Sequence, residues 1–408
     1  MKCRHCDSEL FETLIDLGAS PPSNSYLTEK NINNPEKWYP LKVMICCECW
    51  LVQTEDFVGV SEMFSEDYSY FSSFSSTWLN HCEKYVNKML TRFELTDDSL
   101  IVEVASNDGY LLQYVKKAGI PCYGIEPTHS TAEAARDKGI EVIEKFFGVI
   151  TAKELLAQGR QSDLIVANNV LAHVPDINDF VKGFTILLKP NGVASFEFPH
   201  LISLINNNQF DTIYHEHYSY LSLTAICSIF LSNGIAVFDV EKISTHGGSL
   251  RVFAQRQDTG QHPVTDDVKI LLDHEDKVGV NNVYFYHGLW KKAVAIKLDF
   301  LDFLLKSKRS GKKVAAYGAA AKGNTLLNFA GVRTDLLPYV VDKSSIKQGK
   351  YLPGSRIPIV DESHLVSDAP DYVVILPWNL KTEIMEQLSY INDWGGRFVT
   401  VIPELEIE

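Results

Sequence analysis

From Tyr214 to Tyr220 the chain reads Tyr-His-Glu-His-Tyr-Ser-Tyr, which puts six titratable side chains within seven positions. Packing alone does not explain this density, because imidazole, carboxyl and phenol groups stay in water or find hydrogen bonds when buried. A neutral imidazole, with an ordinary pKa near ~6.5, accepts protons at physiological pH, so the segment is a candidate for general base catalysis. If it is extended, alternate residues share a face, and Glu216 then lies opposite His215 and His217 unless the chain bends. Spacing leaves open which histidine acts. A tyrosine-rich substrate lid without proton transfer is the competing reading.

Five of the eight cysteines fall within the first 49 residues. Cys3 with Cys6, and Cys46 with Cys49, form CxxC pairs, a spacing that lets two thiolates of one tight turn reach the same ion. Together they predict a structural four-thiolate zinc site with no open position for water or substrate. Cys47 sits between two ligands and competes for a place. Cys82, Cys122 and Cys227 read as small buried apolar residues. The 39 residues between the pairs hold Pro21, Pro22 and few periodic apolar positions, which predicts a small module dependent on its metal.

A third group runs Glu103, Val104, Ala105, Ser106, Asn107, Asp108, Gly109, Tyr110. Small residues at Ala105, Asn107 and Gly109 let a ligand lie against backbone at a strand-to-helix turn, where a carboxylate meets unpaired amides. Glu126, ending the next apolar run, is placed to accept hydrogen bonds from both hydroxyls of a ribose. Turn and acid together predict a nucleoside cofactor. The turn lacks GxGxxG, which favours S-adenosylmethionine (SAM) over a pyrophosphate-bearing dinucleotide. Asn168 and His173 follow a later strand, on the carboxyl edge where open α/β sheets hold ligands, and His173 is expected to face the cleft.

These residues need a framework to position them. Short apolar runs at Leu100 to Val104, Cys122 to Ile125, Leu164 to Ala167 and Val193 to Phe198 alternate with helical stretches at Leu111 to Ala118, Thr131 to Lys138 and Phe180 to Leu188. This is the pattern of a parallel sheet covered by helices. A helix near Leu223 to Leu231 and a hairpin of Ala236 to Ile243 with Ser249 to Ala254 add antiparallel strands, as in a SAM-dependent methyltransferase sheet. Beyond the polar stretch Gln255 to Asp267, one extended helical segment leads to Leu304, and a second α/β unit follows. Its strand Val314 to Tyr317 enters the small-residue turn Gly318 to Thr325, where Lys322 is placed to meet a phosphate. Strands are also read at Pro338 to Val341 and Asp371 to Leu376.

Composition narrows the partners. Lys and Arg total 38 against 52 Asp and Glu, a net charge of −14, and this field disfavours nucleic acid. No apolar run reaches the roughly 18 residues of a membrane span, and Lys2, Cys3 and Arg4 do not open a signal peptide. A cytoplasmic location is the expectation.

The paired CxxC, VEVASNDGYLL at 102–112, NNVLAHVPD at 168–176, YHEHYSYL at 214–221, THGGSLR at 245–251 and YGAAAKGNTLLN at 317–328 together resemble the sugar C-methyltransferases of branched deoxysugar biosynthesis, nearly end to end and in the same order. The resemblance implies methylation at C-3 of a nucleotide-linked 4-keto-6-deoxyhexose, with structural zinc and no catalytic metal. It implies an α/β protein of three parts: a zinc-binding domain over 1–65, a SAM-dependent methyltransferase domain with a Rossmann-like sheet over 66–255, and a Rossmann-like, sugar-nucleotide-binding domain over 256–408. It makes His217 the base, Tyr214 and Glu216 its assistants and His173 a cleft histidine. Tyr68 and Tyr70 match an aromatic lid near the methyl donor. The cofactor set is then Glu103, Ala105, Asn107, Gly109, Glu126, Asn168 and Tyr70; the substrate set is Tyr68, His215, Lys322 and Asn324. The oligomeric state stays open, with a monomer admissible. Alternatives are a sugar O-methyltransferase, a nicotinamide oxidoreductase using the C-terminal unit, and a zinc-bearing RNA methyltransferase.

Overall fold

The computed structural model describes residues 1–55, 57, 71–74 and 76–408. Near the N-terminus, β1 (Glu12–Ser20) and β2 (Tyr39–Ile45) form a long antiparallel pair continued by β3 (Val52–Thr54). Leu14, Ile15, Leu17, Leu41, Val43 and Ile45 are buried in one cluster with Tyr286, Leu289 and Phe300 of the C-terminal region. The module is therefore held by apolar packing against the C-terminal region as well as by its cysteines. Two register shifts, between Thr13 and Ile15 and between Asp16 and Ala19, interrupt the period-two alternation and hide the buried face.

The central sheet contains β4 (Ile101–Val104), β5 (Cys122–Ile125), β6 (Glu141–Ile143), β7 (Ser162–Asn168) and β8 (Leu188–Pro199), all parallel. The chain next forms β9 (Ser219–Tyr220), then returns to the central sheet as the antiparallel pair β10 (Ile235–Ile243) and β11 (Ser249–Arg256). The order β10-β11-β8-β7-β4-β5-β6 reverses between β4 and β7, which opens a crevice at their carboxyl ends. Every residue of β4 is buried, as expected of a parallel strand covered on both faces. Helix Ser76–Arg92 packs Cys82, Tyr85, Val86 and Met89 against Leu112, Val115, Leu164 and Phe253.

Strand β9 lies outside the central sheet and pairs with β3, so the N-terminal sheet takes its last strand from the end of the histidine-rich segment. Tyr218 N donates to Ala172 O (2.8 Å) and Thr54 N to Tyr218 O (3.1 Å), clamping that segment between the two sheets. The fully buried Glu275 accepts from Leu223 N (2.8 Å) and Thr224 N (2.7 Å), at the start of helix Leu223–Ser232, and pairs with His200 Nε2 (2.8 Å). Its charge meets the positive end of the helix there.

The expected single helical segment is three helices, Asp266–Val278, Val283–Tyr286 and Leu289–Arg309. Breaks fall at Gly279 (φ 89°) and Gly288 (φ 107°), a conformation that glycine adopts without a Cβ clash. The last sheet holds β12 (Val314–Tyr317), β13 (Val340–Val341), β14 (Ile359–Val360), β15 (Tyr372–Ile375), β16 (Arg397–Thr400) and β17 (Glu406–Ile407), in the order β14-β13-β12-β15-β16-β17. All its pairings are parallel except β16 with β17. Among the described residues no helix is long and apolar enough to cross a membrane.

Candidate active site

The turn after β4 is shaped by left-handed backbone at Ala105 (φ 56°), Asn107 (φ 48°) and Gly109 (φ 74°), a conformation costly for the two non-glycine residues. Glu126 stabilises it from the end of β5. Its Oε2 accepts from Asn107 N (3.0 Å) and its Oε1 from Thr128 N (2.9 Å), while burial raises its pKa. Ser72 N donates to Asn107 Oδ1 (2.9 Å), bringing the chain that enters helix Ser76–Arg92 onto the same turn.

Among the described residues, Ser106 Oγ, Asp108 Oδ1 and both amide atoms of Asn168 are buried around this turn without a partner in hydrogen-bonding geometry, and the Tyr110 hydroxyl is the group that meets the buried Glu103 carboxyl. Burial pushes the Glu103 pKa well above the carboxyl range, with Asp108 and Glu126 adding to the effect. Buried polar groups are nearly always hydrogen-bonded, so this concentration fits a ligand that brings its own donors. The structure thus gathers Glu103, Ala105, Asn107, Gly109, Glu126 and Asn168 at one edge. Tyr68 and Tyr70 lie outside the described residues.

The histidine-rich segment is divided three ways. His217 turns into the cleft, with Nδ1 2.8 Å from Thr212 O and Nε2 2.8 Å from the Tyr214 hydroxyl. A carbonyl only accepts, so Nδ1 carries the imidazole proton and Nε2 holds a lone pair to which Tyr214 donates. Burial, with the neighbouring His173, holds the His217 pKa well below 6.5. The His173 ring lies edge-on at 4.6 Å, and burial lowers its pKa to about 4. Glu216 takes the Asn24 amide on both carboxylate oxygens (2.8 Å each), and burial raises its pKa to about 7. The group orienting His217 is therefore the Thr212 carbonyl rather than a carboxylate. His215 packs on β2, with Nε2 3.2 Å from Pro40 O.

The C-terminal unit supplies the opposite wall. Lys322 Nζ donates to Asn379 Oδ1 (2.8 Å) and stands 4.6 Å from the centre of the Trp378 ring. Burial lowers its pKa to about 8, with Asp211 opposing the shift. Trp378 Nε1 donates to Asp211 Oδ2 (2.7 Å), and burial raises Asp211 to about 6. Asn324 instead donates to Ser23 O (3.2 Å), at the contact with the N-terminal module.

Sequence reasoning missed Asp211, Trp378, His246 and a buried network centred on Glu197. Glu197, wholly buried on β8, pairs with His81 Nε2 (3.0 Å) and Arg251 Nε (2.7 Å), and Arg251 Nη1 reaches Glu241 (3.0 Å). The readable signal was Glu197 between Phe196 and Phe198, since an acid inside a buried strand requires a cationic partner.

The four predicted zinc ligands converge. Cys3 and Cys49 Sγ are 3.5 Å apart, as are Cys6 and Cys46 Sγ, and all four lie within 4.8 Å of one another. A tetrahedron of ~2.3 Å Zn–S bonds has edges of about 3.8 Å, so the set fits zinc. Gln53 Nε2 donates to Cys3 Sγ (3.2 Å), and Cys47 is exposed outside the cluster.

Three family profiles match in chain order: a zinc binding domain over residues 3–64, a methyltransferase domain over 78–240, and a C-methyltransferase C-terminal domain over 244–403. The C-methyltransferase NovU of Streptomyces niveus is 33% identical over 403 residues, covering 99% of this chain and 96% of that protein. A ubiquinone biosynthesis O-methyltransferase of Bordetella avium is 29% identical over 98 residues, 24% of this chain and 41% of its own. Among solved structures, the PH0226 protein of Pyrococcus horikoshii overlays 46% of this chain and 95% of itself at 13% identity, with a TM-score of 0.39. A magnesium protoporphyrin IX methyltransferase of Synechocystis, solved with bound SAM, overlays 50% of this chain and 86% of itself at 15% identity and TM-score 0.33.

Proposed function

Because this chain belongs to the C-methyltransferase family, we propose that it methylates C-3 of a nucleotide-linked 4-keto-6-deoxyhexose through an enolate. Its methyl donor is SAM, which supplies an electrophilic methyl group when bound, and its metal is structural zinc. Glu103, Asn107, Glu126 and Asn168 hold the donor at the edge of β4 and β7, and Lys322 faces the sugar nucleotide from the C-terminal unit.

The observation that carries this reading is the hydrogen-bond chain from Thr212 O through His217 to the Tyr214 hydroxyl. Methylation at carbon requires prior loss of a carbon-bound proton. A ketone at C-4 acidifies the C-3 proton by placing the resulting charge on oxygen, and a neutral imidazole then suffices as base. In this chain Thr212 fixes the tautomer, burial keeps the ring neutral, and Nε2 with its Tyr214 partner receives the proton.

The test is isotopic. With S-adenosylhomocysteine in the donor site, the wild-type protein is expected to exchange the C-3 proton of a 4-keto sugar nucleotide with deuterated solvent, since enolisation needs no methyl donor. His217→Asn is expected to slow both exchange and methylation by about 10²- to 10⁴-fold, the usual contribution of a general base. Persistent exchange in that variant would transfer the role to another group. A new methyl group located on oxygen by NMR would overturn the reaction itself.

A further inference from the structure

We propose that His246 donates a hydrogen bond from Nδ1 to the substrate's carbonyl oxygen and holds the enolate charge while the His217–Tyr214 pair receives the proton. This assignment rests on the enolisation reading above and gives the reaction its electrophilic partner.

The geometry begins with strain. His246 and Asn169 both have a φ of 54°, a left-handed conformation that is costly for a non-glycine residue and persists only where its surroundings enforce it. The two side chains meet, with Asn169 Nδ2 3.3 Å from His246 Nε2. An amide N–H only donates, so Nε2 of His246 is the acceptor and its single proton resides on Nδ1. Among the described residues no hydrogen bond engages that Nδ1. His217 carries its proton on the same ring atom but presents the other face: Thr212 takes Nδ1–H and leaves Nε2 basic, whereas Asn169 takes Nε2 and leaves Nδ1–H as a donor.

The surroundings fix the ring at the cleft. Asn169 directly follows β7 at the carboxyl edge of the sheet, and the Trp78 ring lies 5.6 Å from the His246 ring. A Cβ at Gly247 would fall 2.4 Å from the Trp378 ring, and one at Gly248 would fall 2.5 Å from Ser203 Oγ. The turn is thus wedged between the central sheet and the wall that carries Lys322. Burial lowers the His246 pKa to about 4, and Lys322 lies close enough to add to the effect. At neutral pH the ring is therefore an uncharged donor beside a cationic side chain, which suits an oxygen that gains negative charge during reaction.

The electrons balance. The C-3–H pair becomes the C-3–C-4 π bond, the carbonyl π pair moves to oxygen, and His246 Nδ1–H bonds to that oxygen. When C-3 forms its new bond to the methyl carbon, the ketone is restored and the C–S pair stays on sulfur.

Two substitutions and a spectrum test this. Asn169→Asp tolerates the same backbone but only accepts, which draws the His246 proton to Nε2 and strips Nδ1 of its hydrogen; His246→Ala removes the donor altogether. Each is expected to lower kcat and C-3 exchange by about 10²- to 10³-fold, as for a lost oxyanion donor, with substrate KM and S-adenosylhomocysteine affinity close to wild type. His246→Gln, which keeps an N–H, recovers part of the loss. The ¹⁵N imidazole signals of the full-length wild type are expected to report His246 as the Nδ1–H tautomer, and Asn169→Asp as the Nε2–H tautomer. Wild-type exchange together with undiminished exchange in His246→Ala, or an Nε2–H tautomer in the wild type, would overturn this role and leave the enolisation reading standing. Absence of exchange in the wild type on every 4-keto sugar would sink the enolisation reading, and this role with it.

Discussion

Replacing Glu126 probes the proposed cofactor pocket at a residue whose geometry sets the expected size of the effect. Its oxygens each accept one backbone N–H, from Asn107 at 3.0 Å and Thr128 at 2.9 Å, and the Thr128 and Thr131 hydroxyls lie close enough to be exchanged for those of a ribose. A hydrogen bond to a charged group contributes about 1.5–3 kcal/mol, so two ribose hydroxyls on this carboxylate amount to about 3–6 kcal/mol, or roughly 10²- to 10⁴-fold in Kd. Glu126→Gln preserves size and one carbonyl but turns the other oxygen into a donor facing an amide N–H, and is expected to lose about half of that free energy. Glu126→Ala also leaves Asn107 N and Thr128 N without their acceptor, at about 1–3 kcal/mol for each buried group. Because the first of these bonds holds Asn107 in its left-handed conformation, alanine should lower stability as well as affinity, whereas glutamine separates the two. Burial raises the Glu126 pKa, so its charged, ribose-accepting form is lost at a higher pH than for an ordinary glutamate. Affinity should fall as pH drops through that raised value, and Glu126→Gln should flatten the dependence. Calorimetric titration with S-adenosylhomocysteine, alongside urea unfolding, measures both quantities. An unchanged Kd in a well-folded Glu126→Gln protein, or binding that tightens on acidification, would refute the placement.

Native protein is expected to carry one zinc per chain, lost in Cys3→Ser and Cys49→Ser; because β1 and β2 also bury Leu14, Ile15, Val43 and Ile45, stripping the metal should lower the melting temperature while leaving the central sheet folded, and metal analysis that finds none would overturn the site. Asn24→Ala removes both hydrogen bonds of Glu216, whose pKa burial has already raised to about 7. The folded protein then holds a proton that the unfolded chain releases near ~4.3, so the wild type loses stability as pH rises from about 4.3 to 7, and the variant should go on losing it above 7. Urea midpoints should show a loss of about 1.5–3 kcal/mol at pH 8 and little at pH 5; an equal loss at both pH values would contradict the buried-carboxylate account.

What could be read in the sequence followed from how strongly local chemistry dictates structure. Strands β5 and β12 have the boundaries that their apolar runs mark, because a parallel strand buried on both faces has no polar interruption to misplace its ends. The CxxC pairs and the turn at Ala105 to Gly109 were legible because metal geometry and left-handed backbone each demand particular residues at fixed spacing. By contrast, β6 reads as the ordinary stretch Glu141–Ile143 and is a strand only because β5 supplies its partner. The cleft was half legible for a similar reason. His217 and His173 stand in unusual motifs, but residue types do not show that a main-chain carbonyl, Thr212 O just ahead of the motif, fixes the His217 ring, or that Lys322 of the C-terminal unit folds in close enough to act on it. His215 and Glu216 share the motif's density and serve contacts with Tyr39, Pro40 and Asn24 in the N-terminal module instead. A strand that lies outside the central sheet and completes another, as β9 does, leaves no local trace.

The two α/β units then show why fold alone does not assign chemistry. In the central unit Glu126 accepts from the turn residue Asn107 and from Thr128 two positions ahead of itself; in the C-terminal unit Asp342 accepts from the turn residue Ala319 (2.8 Å) and from Ser344 (2.8 Å), again two positions ahead. Both units follow one backbone rule, an acid at the second strand bracing the first turn. They differ in which polar groups are already engaged. Among the described residues, Ser106 Oγ and both amide atoms of Asn168 stay without partners around the central turn, whereas Tyr26 and Lys347 both donate to the Ala319 carbonyl (2.6 and 2.9 Å), and Lys347 Nζ lies 3.6 Å from Asp342, leaving Ser344 Oγ unpartnered there. The second turn is thus occupied by the protein's own side chains, including one from the N-terminal module. An oxidoreductase with its nicotinamide cofactor at that turn would have to displace these contacts, while a C-methyltransferase needs only what the unit presents on its other side, Lys322 and Trp378 facing the histidines. On the proposed assignment the two units therefore divide the work: one keeps its turn open for the donor, and the other closes its turn with Tyr26 and Lys347 and becomes a wall of the cleft.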